Sequence, residues 1–136
     1  MNETKAFFDT NVLLYLLSGD VSKADRAEAL VVAGGVISVQ VLNEFASVAS
    51  RKLGMSWAEI REVLKTIRAL CRIEPISLET HDCGLALSER YGFSIYDSMI
   101  LASALLAGCT ALLTEDLQDA QSIDGRLTVR NPFAAS

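Results

Sequence analysis

The sequence predicts an α/β fold, a mainly parallel central sheet with helices on its faces. Two observations lead there. Short apolar runs without internal charge, Ala6–Phe8, Val36–Val39 and Thr110–Thr114, have the character of strands buried on both faces. Between them lie segments whose apolar residues recur every three or four positions, the period of a helix that lays one face on a core. Strands that alternate with helices in this way pair mainly in parallel. A third feature concerns chemistry: the first of these strands runs into Asp9, and the run at 110–114 is followed by Glu115, Asp116 and Asp119.

At 136 residues the chain fits one domain, spanning 1–136, and its 51% hydrophobic and 21% charged content excludes a disordered polymer. Twelve basic and seventeen acidic side chains leave a net charge of −5, which argues against a broad basic surface for duplex DNA. An acidic site still binds phosphate through divalent cations, so a nucleic-acid enzyme is not excluded. Cys71, Cys83 and Cys109 are odd in number and widely spaced inside apolar or helical stretches, with no C-x-x-C pair, and read as buried free thiols of a reducing compartment. Met1–Lys5 lacks the apolar region of a leader peptide, and no apolar run reaches the roughly 20 residues of a membrane span. The expectation is a soluble cytoplasmic protein with no membrane association.

In order, Ala6–Phe8 forms the first strand, Thr10-Asn11 stops it, and Val12–Leu17 begins a helix. Asp9 or Asn11 serves equally well as the cap of that helix, so the role of Asp9 stays open on this stretch alone. Ser22-Lys23-Ala24-Asp25 has the form of a helix start, and Gly34-Gly35 ends that helix ahead of the strand Val36–Val39. From about Gln40 to Leu53 the stripe Val41, Leu42, Phe45, Val48, Ala49 marks a helix, with Glu44 about 100° round from Phe45 at the rim of the core. Ser56-Trp57-Ala58-Glu59 is a capping box for the next helix, with a stripe from Ile60 to Cys71. Ile73–Ile76 contains Pro75 and suits an edge strand or connection. A helix from about Thr80 to Tyr91 follows, its His81 having no cysteine or histidine at ligand spacing and reading as structural or solvent-facing. Ser94 and Asp97 open a helix that is apolar nearly all round, predicted to be the central buried one. Taken by itself, Asp97 reads as the acid of a Ser94 capping box. Leu127–Arg130 alternates as a last strand, ended by Asn131-Pro132-Phe133.

Asp9 and Asp116 follow buried strands, while Glu44 and Asp97 lie near helix starts at the same predicted sheet edge. Like charges gathered in one crevice raise one another's pKa, so such a cluster either takes up protons or binds metal. Carboxylate oxygens without cysteine or histidine suit Mg²⁺ or Mn²⁺ rather than zinc. That equipment serves phosphodiester hydrolysis. There is no Ser or Cys nucleophile paired with a histidine, no glycine-rich phosphate loop and no basic aromatic platform.

Four segments together resemble the PIN-domain ribonucleases of the VapC type, the toxins of bacterial toxin-antitoxin pairs. They are Phe8-Asp9-Thr10-Asn11-Val12-Leu13, Val41-Leu42-Asn43-Glu44-Phe45, Tyr91–Ile100 and Leu112–Asp119, and Asn131-Pro132-Phe133 resembles the usual family ending. The resemblance implies a PIN-like three-layer fold and a Mg²⁺- or Mn²⁺-dependent endoribonuclease with Asp9, Glu44, Asp97 and Asp116 as catalytic metal ligands. It implies a further acid at Asp119, with Asn11 and Thr114 orienting the ligands. Ala120 departs from the family pattern, where glycine often follows the last acid, and leaves the loop that carries Asp119 open. The resemblance also implies an RNA substrate, a homodimer, and a cognate VapB-like antitoxin that covers the site and binds DNA. An acidic site would attract a basic arm of such a partner. A stand-alone RNA-processing nuclease shares this chemistry without the antitoxin, and a catalytically silent PIN-fold binding module shares the fold alone. An aspartyl-phosphate phosphatase needs a second aspartate two residues after the first, where this chain has Asn11.

Overall fold

The computed structural model describes residues 5–134. Residues 1–4, part of the stretch read above as lacking a leader, and residues 135–136 lie outside the described residues. The chain runs β1 (Ala6–Phe8), α1 (Thr10–Leu14), a 3₁₀ turn (Tyr15–Leu17), α2 (Val21–Ala33), β2 (Gly35–Ser38), α3 (Val39–Arg51), α4 (Trp57–Leu70) and β3 (Cys71–Glu74). It continues with α5 (Leu78–Tyr91), α6 (Ile95–Leu106), β4 (Ala111–Leu113), β5 (Ser122–Ile123) and β6 (Leu127–Arg130).

The sheet has the order β3-β2-β1-β4-β6-β5 and is parallel apart from the β5–β6 pair, with helices flanking it as the alternating pattern predicts. β1 lies inside the sheet, Phe7 standing in register with Val36 of β2 and Leu112 of β4. From β1 the chain winds outward through β2 and β3, then returns to place β4 on the other side of β1. The winding reverses between β1 and β4, and in open α/β sheets ligands bind at the carboxyl ends of strands at such a reversal.

Phe7, Phe8, Leu13, Ile37, Phe45, Leu101 and Leu112 are fully buried at the centre of the core, each contributing roughly 1.5–3 kcal/mol by leaving water. Every residue of α6 from Ser98 to Leu105 is buried, and the helix packs on α5, β2 and β4, which bears out its reading as the central helix. Gly35 is glycine because of Phe8: a Cβ there would stand 2.5 Å from the Phe8 ring.

Several boundaries differ from the sequence expectations. The first helix is one short α-helix followed by the 3₁₀ turn, and α2 is capped by Asp20, whose side chain accepts from Lys23 N, rather than by Ser22. The edge strand is Cys71–Glu74 and stops before Pro75, so Cys71 belongs to β3 and not to the helical stripe. β5 was not anticipated; it is two residues long and paired antiparallel with β6, too short to carry a period. The Ser56–Glu59 capping box is formed in both directions, and His81 is exposed, as expected. All three cysteines are free; Cys71 and Cys109 are buried as expected, whereas Cys83 on α5 is only half-buried. No helix among the described residues is long and apolar enough to cross a membrane.

Candidate active site

β1 delivers Asp9 to the carboxyl edge of the sheet. Its backbone is extended, so the same residue caps α1, and its Oδ1 accepts from Thr10 N at 2.7 Å. The structure thus makes Asp9 the cap of α1 and also places it at the carboxyl edge of the sheet. Only 8% of the residue is exposed. Burial pushes its carboxyl up to about 6, the charges of Glu44 and Asp116 push the same way, and hydrogen bonds from Thr114 and Thr10 oppose the shift.

β4 brings the second half. Asp9 N donates to Leu113 O at 3.0 Å, which holds the two strand ends side by side. Thr114, fully buried just past β4, donates through Oγ1 to Asp9 Oδ2 at 2.9 Å. Thr114 Oγ1 in turn accepts from Asn11 Nδ2 at 3.0 Å and from Asp116 N at 3.1 Å. Asn11 Nδ2 also donates to Asp116 Oδ2 at 3.0 Å, while Asn11 Oδ1 accepts from Glu115 N at 3.3 Å. Asn11 and Thr114 therefore do hold acidic side chains. On α3, Glu44 is held by Thr10, whose Oγ1 donates to Glu44 Oε1 at 2.7 Å.

Asp97 enters from the first turn of α6. Its N–H donates to Ser94 Oγ at 3.2 Å, but no hydrogen bond from Ser94 N to its carboxylate is formed, unlike the reciprocal pair at Ser56 and Glu59. The Ser94 box is therefore half made. Asp97, Asp9, Glu44 and Asp116 all line one cleft of about 300 Å³, together with Thr10, Asn11 and Tyr96. No lysine or arginine among the described residues lines it. Among the described residues no group of three or more His, Cys, Asp or Glu side chains stands close enough together to hold a metal ion.

Asp119 stands apart. Its Oδ1 accepts from Asn131 N at 2.8 Å, tying the connection after β4 to the end of β6, and it does not line the cleft. Next to it Ala120 has φ +69°, a left-handed conformation that favours glycine, at the position where the sequence departs from the family pattern. Thr10 is the residue that sequence reasoning missed: a threonine between two candidate residues carries no periodic signal, and its partner lies 34 positions away. A second cluster, also not anticipated, borders the site where Tyr15 donates to Glu115 Oε1 at 2.6 Å and accepts from Lys23 Nζ at 3.2 Å.

The PIN domain pattern matches residues 6–124, a span that contains all four cleft carboxylates. The chain belongs to the PIN domain family. Among solved structures, this PIN domain is similar to a chain of a toxin-antitoxin complex from Klebsiella pneumoniae, at 28% identity and a TM-score of 0.72 over 96% of this chain and 100% of that one. It is also similar in fold to VapBC2 from Rickettsia felis bound to a promoter DNA fragment, at 20% identity and a TM-score of 0.68 over 94% and 98% of the two chains. VapC20 of Mycobacterium tuberculosis, a Sarcin-Ricin loop cleaving toxin, shares the fold at 18% identity and a TM-score of 0.62 over 79% and 87%. No curated protein matches the sequence.

Proposed function

We propose that this PIN domain is a Mg²⁺- or Mn²⁺-dependent endoribonuclease, the toxin of a toxin-antitoxin pair. The observation that carries the reading is the convergence of four carboxylates, from four separate segments, on one cleft that no lysine or arginine lines among the described residues. Ionising Asp9 in this cleft is costly: burial raises its pKa most, and the charges of Glu44 and Asp116 add to the rise. A bound cation removes that cost. The donor set fits a hard divalent ion, being oxygen throughout, and the open spacing fits Mg²⁺, which keeps several of its waters and takes only one or two carboxylates directly.

Asp9, Glu44, Asp97 and Asp116 would hold the ion. When bound, it supplies an activated water at neutral pH and offsets the charge that develops on a phosphodiester. The remaining work belongs to the chain. Thr114 fixes the Asp9 carboxylate and, through Asn11, shares the placement of Asp116. Burial of Asp9 keeps bulk water from its inner face, whereas Asp116 is exposed and open to a polymeric substrate. Asp119 supports the connection that follows these residues and stands outside the ligand set proposed here.

The toxin role is supported by the 28%-identical chain from a toxin-antitoxin complex, matched over its full length. An RNA substrate, an antitoxin that covers the cleft, homodimerisation and a cytoplasmic setting belong to the same proposal. The deciding experiment incubates purified protein with total cellular RNA in Mn²⁺, in Mg²⁺ and in chelator, beside Asp9→Asn. Metal-dependent cleavage that the variant lacks is the expected result. Absence of cleavage by folded protein with either metal would overturn the nuclease reading in favour of a binding module.

A further inference from the structure

Three consecutive residues do three different things for the cleft. Asp9 presents a carboxylate, Asn11 holds Asp116, and between them Thr10 reaches across to α3. Thr10 is only 7% exposed, so its hydroxyl must find a partner inside the protein, and that partner is a cleft carboxylate rather than the backbone of its own helix. Starting the helix does not require it, because Asp9 is the cap and a β-branched residue has no advantage at the first helical position. Glu44 is otherwise a long side chain with several rotamers, and fixing one oxygen selects among them. Among the described residues the hydrogen bond from Thr10 takes Oε1 of Glu44, and no protein donor takes Oε2.

We propose that Thr10 is a positioning residue, whose hydroxyl fixes Glu44 Oε1 so that Oε2 faces the cleft as a ligand for a divalent cation. The proposal rests on the metal-dependent reading above and adds to it a residue that couples the strand end carrying Asp9 to the helix carrying Glu44. Groups that orient a metal ligand typically contribute about 10- to 100-fold to metal affinity.

The test is calorimetric titration of MnCl₂ into the full chain without RNA, for the wild type, Thr10→Val, Thr10→Ser, Glu44→Gln and the Thr10→Val/Glu44→Gln double variant. Thr10→Val keeps the shape and deletes the donor; it should bind Mn²⁺ about tenfold or more weakly, while Thr10→Ser stays near wild type. In the Glu44→Gln background the valine should add nothing, because the residue it positions has lost its charge. Thermal melts establish that each variant is folded, and Thr10→Ala deletes the same donor if the valine prevents folding. Unchanged Mn²⁺ affinity in the donor-less variant would overturn the proposal, as would a serine variant as weak as the valine one. Absence of Mn²⁺ binding by the folded wild type would instead overturn the metal-dependent reading itself, and the role of Thr10 with it.

Discussion

Replacing Asp9 with asparagine should change how stability depends on pH, and the size of the change follows from the burial of this one carboxyl. In the folded protein Asp9 releases its proton at about 6, against 3.8 for an unperturbed aspartate. A raised folded-state value means that, between these two points, the native state holds a proton the unfolded chain has already lost. Its contribution is therefore fully present below pH 3.8 and is lost as pH climbs to about 6. Two pH units correspond to about 3 kcal/mol, a large fraction of the stability of a small domain. Urea unfolding from pH 4 to 7 in chelator reads it directly, as the difference between the wild-type and Asp9→Asn curves. That difference should drift by about 3 kcal/mol across the window and level off above it. Parallel curves would refute the reasoning, because they would mean that Asp9 is no harder to ionise in the fold than in the open chain. Mn²⁺ at pH 7 should then stabilise the wild type more than the variant, if the cation binds the ionised site.

Further expectations follow from other parts of the structure. Asp97→Asn and Asp116→Asn should each abolish metal-dependent RNA cleavage while leaving the melting temperature nearly unchanged, since both side chains face the cleft and not the core; a stability loss with activity retained at Asp97 would favour the cap role. Thr114→Val should cost about 2–3 kcal/mol in urea unfolding, because a fully buried hydroxyl that serves Asp9, Asn11 and the Asp116 backbone is removed at once. Gly35→Ala should destabilise by about 1–3 kcal/mol, the added carbon meeting both the Phe8 ring and the Ala6 carbonyl. Ala120→Gly should stabilise by about 1 kcal/mol, measured the same way, by relieving the positive φ.

The parts of this architecture that were legible in the sequence are those written in long periods or abrupt changes of polarity. The stripes of α3 and α4, the uninterrupted apolar character of α6, and the jump from Phe8 to Asp9 are of this kind, and each corresponds to burial in the structure. What resisted reading was short or reciprocal. A two-residue strand such as β5 exists only because β6 offers it a partner. Asp20 outcompetes Ser22 as a cap through the backbone angle of the turn before α2, which no residue spacing encodes. The alternatives at Asp9 and Asp97 were resolved differently for a physical reason. Asp9 caps its helix with one oxygen and turns the other toward Thr114, whereas the Asp97 carboxylate leaves the Ser94 backbone alone. Thr10 could be found only once α1 and α3 were seen side by side.

The cleft joins residues that lie far apart along the chain. Asp9 and Thr114, 105 positions apart, are linked across the β1–β4 boundary; Glu44 and Asp97 come from the residues between them, and Asp116 follows two positions after Thr114. During synthesis β1 emerges early with its eventual neighbour still unmade. A growing chain of this protein therefore carries an incomplete set of acids until the segment after β4 is added. If the cleft cuts RNA, a nascent chain of this protein lacks the full tool until the segment carrying Asp116 has been made.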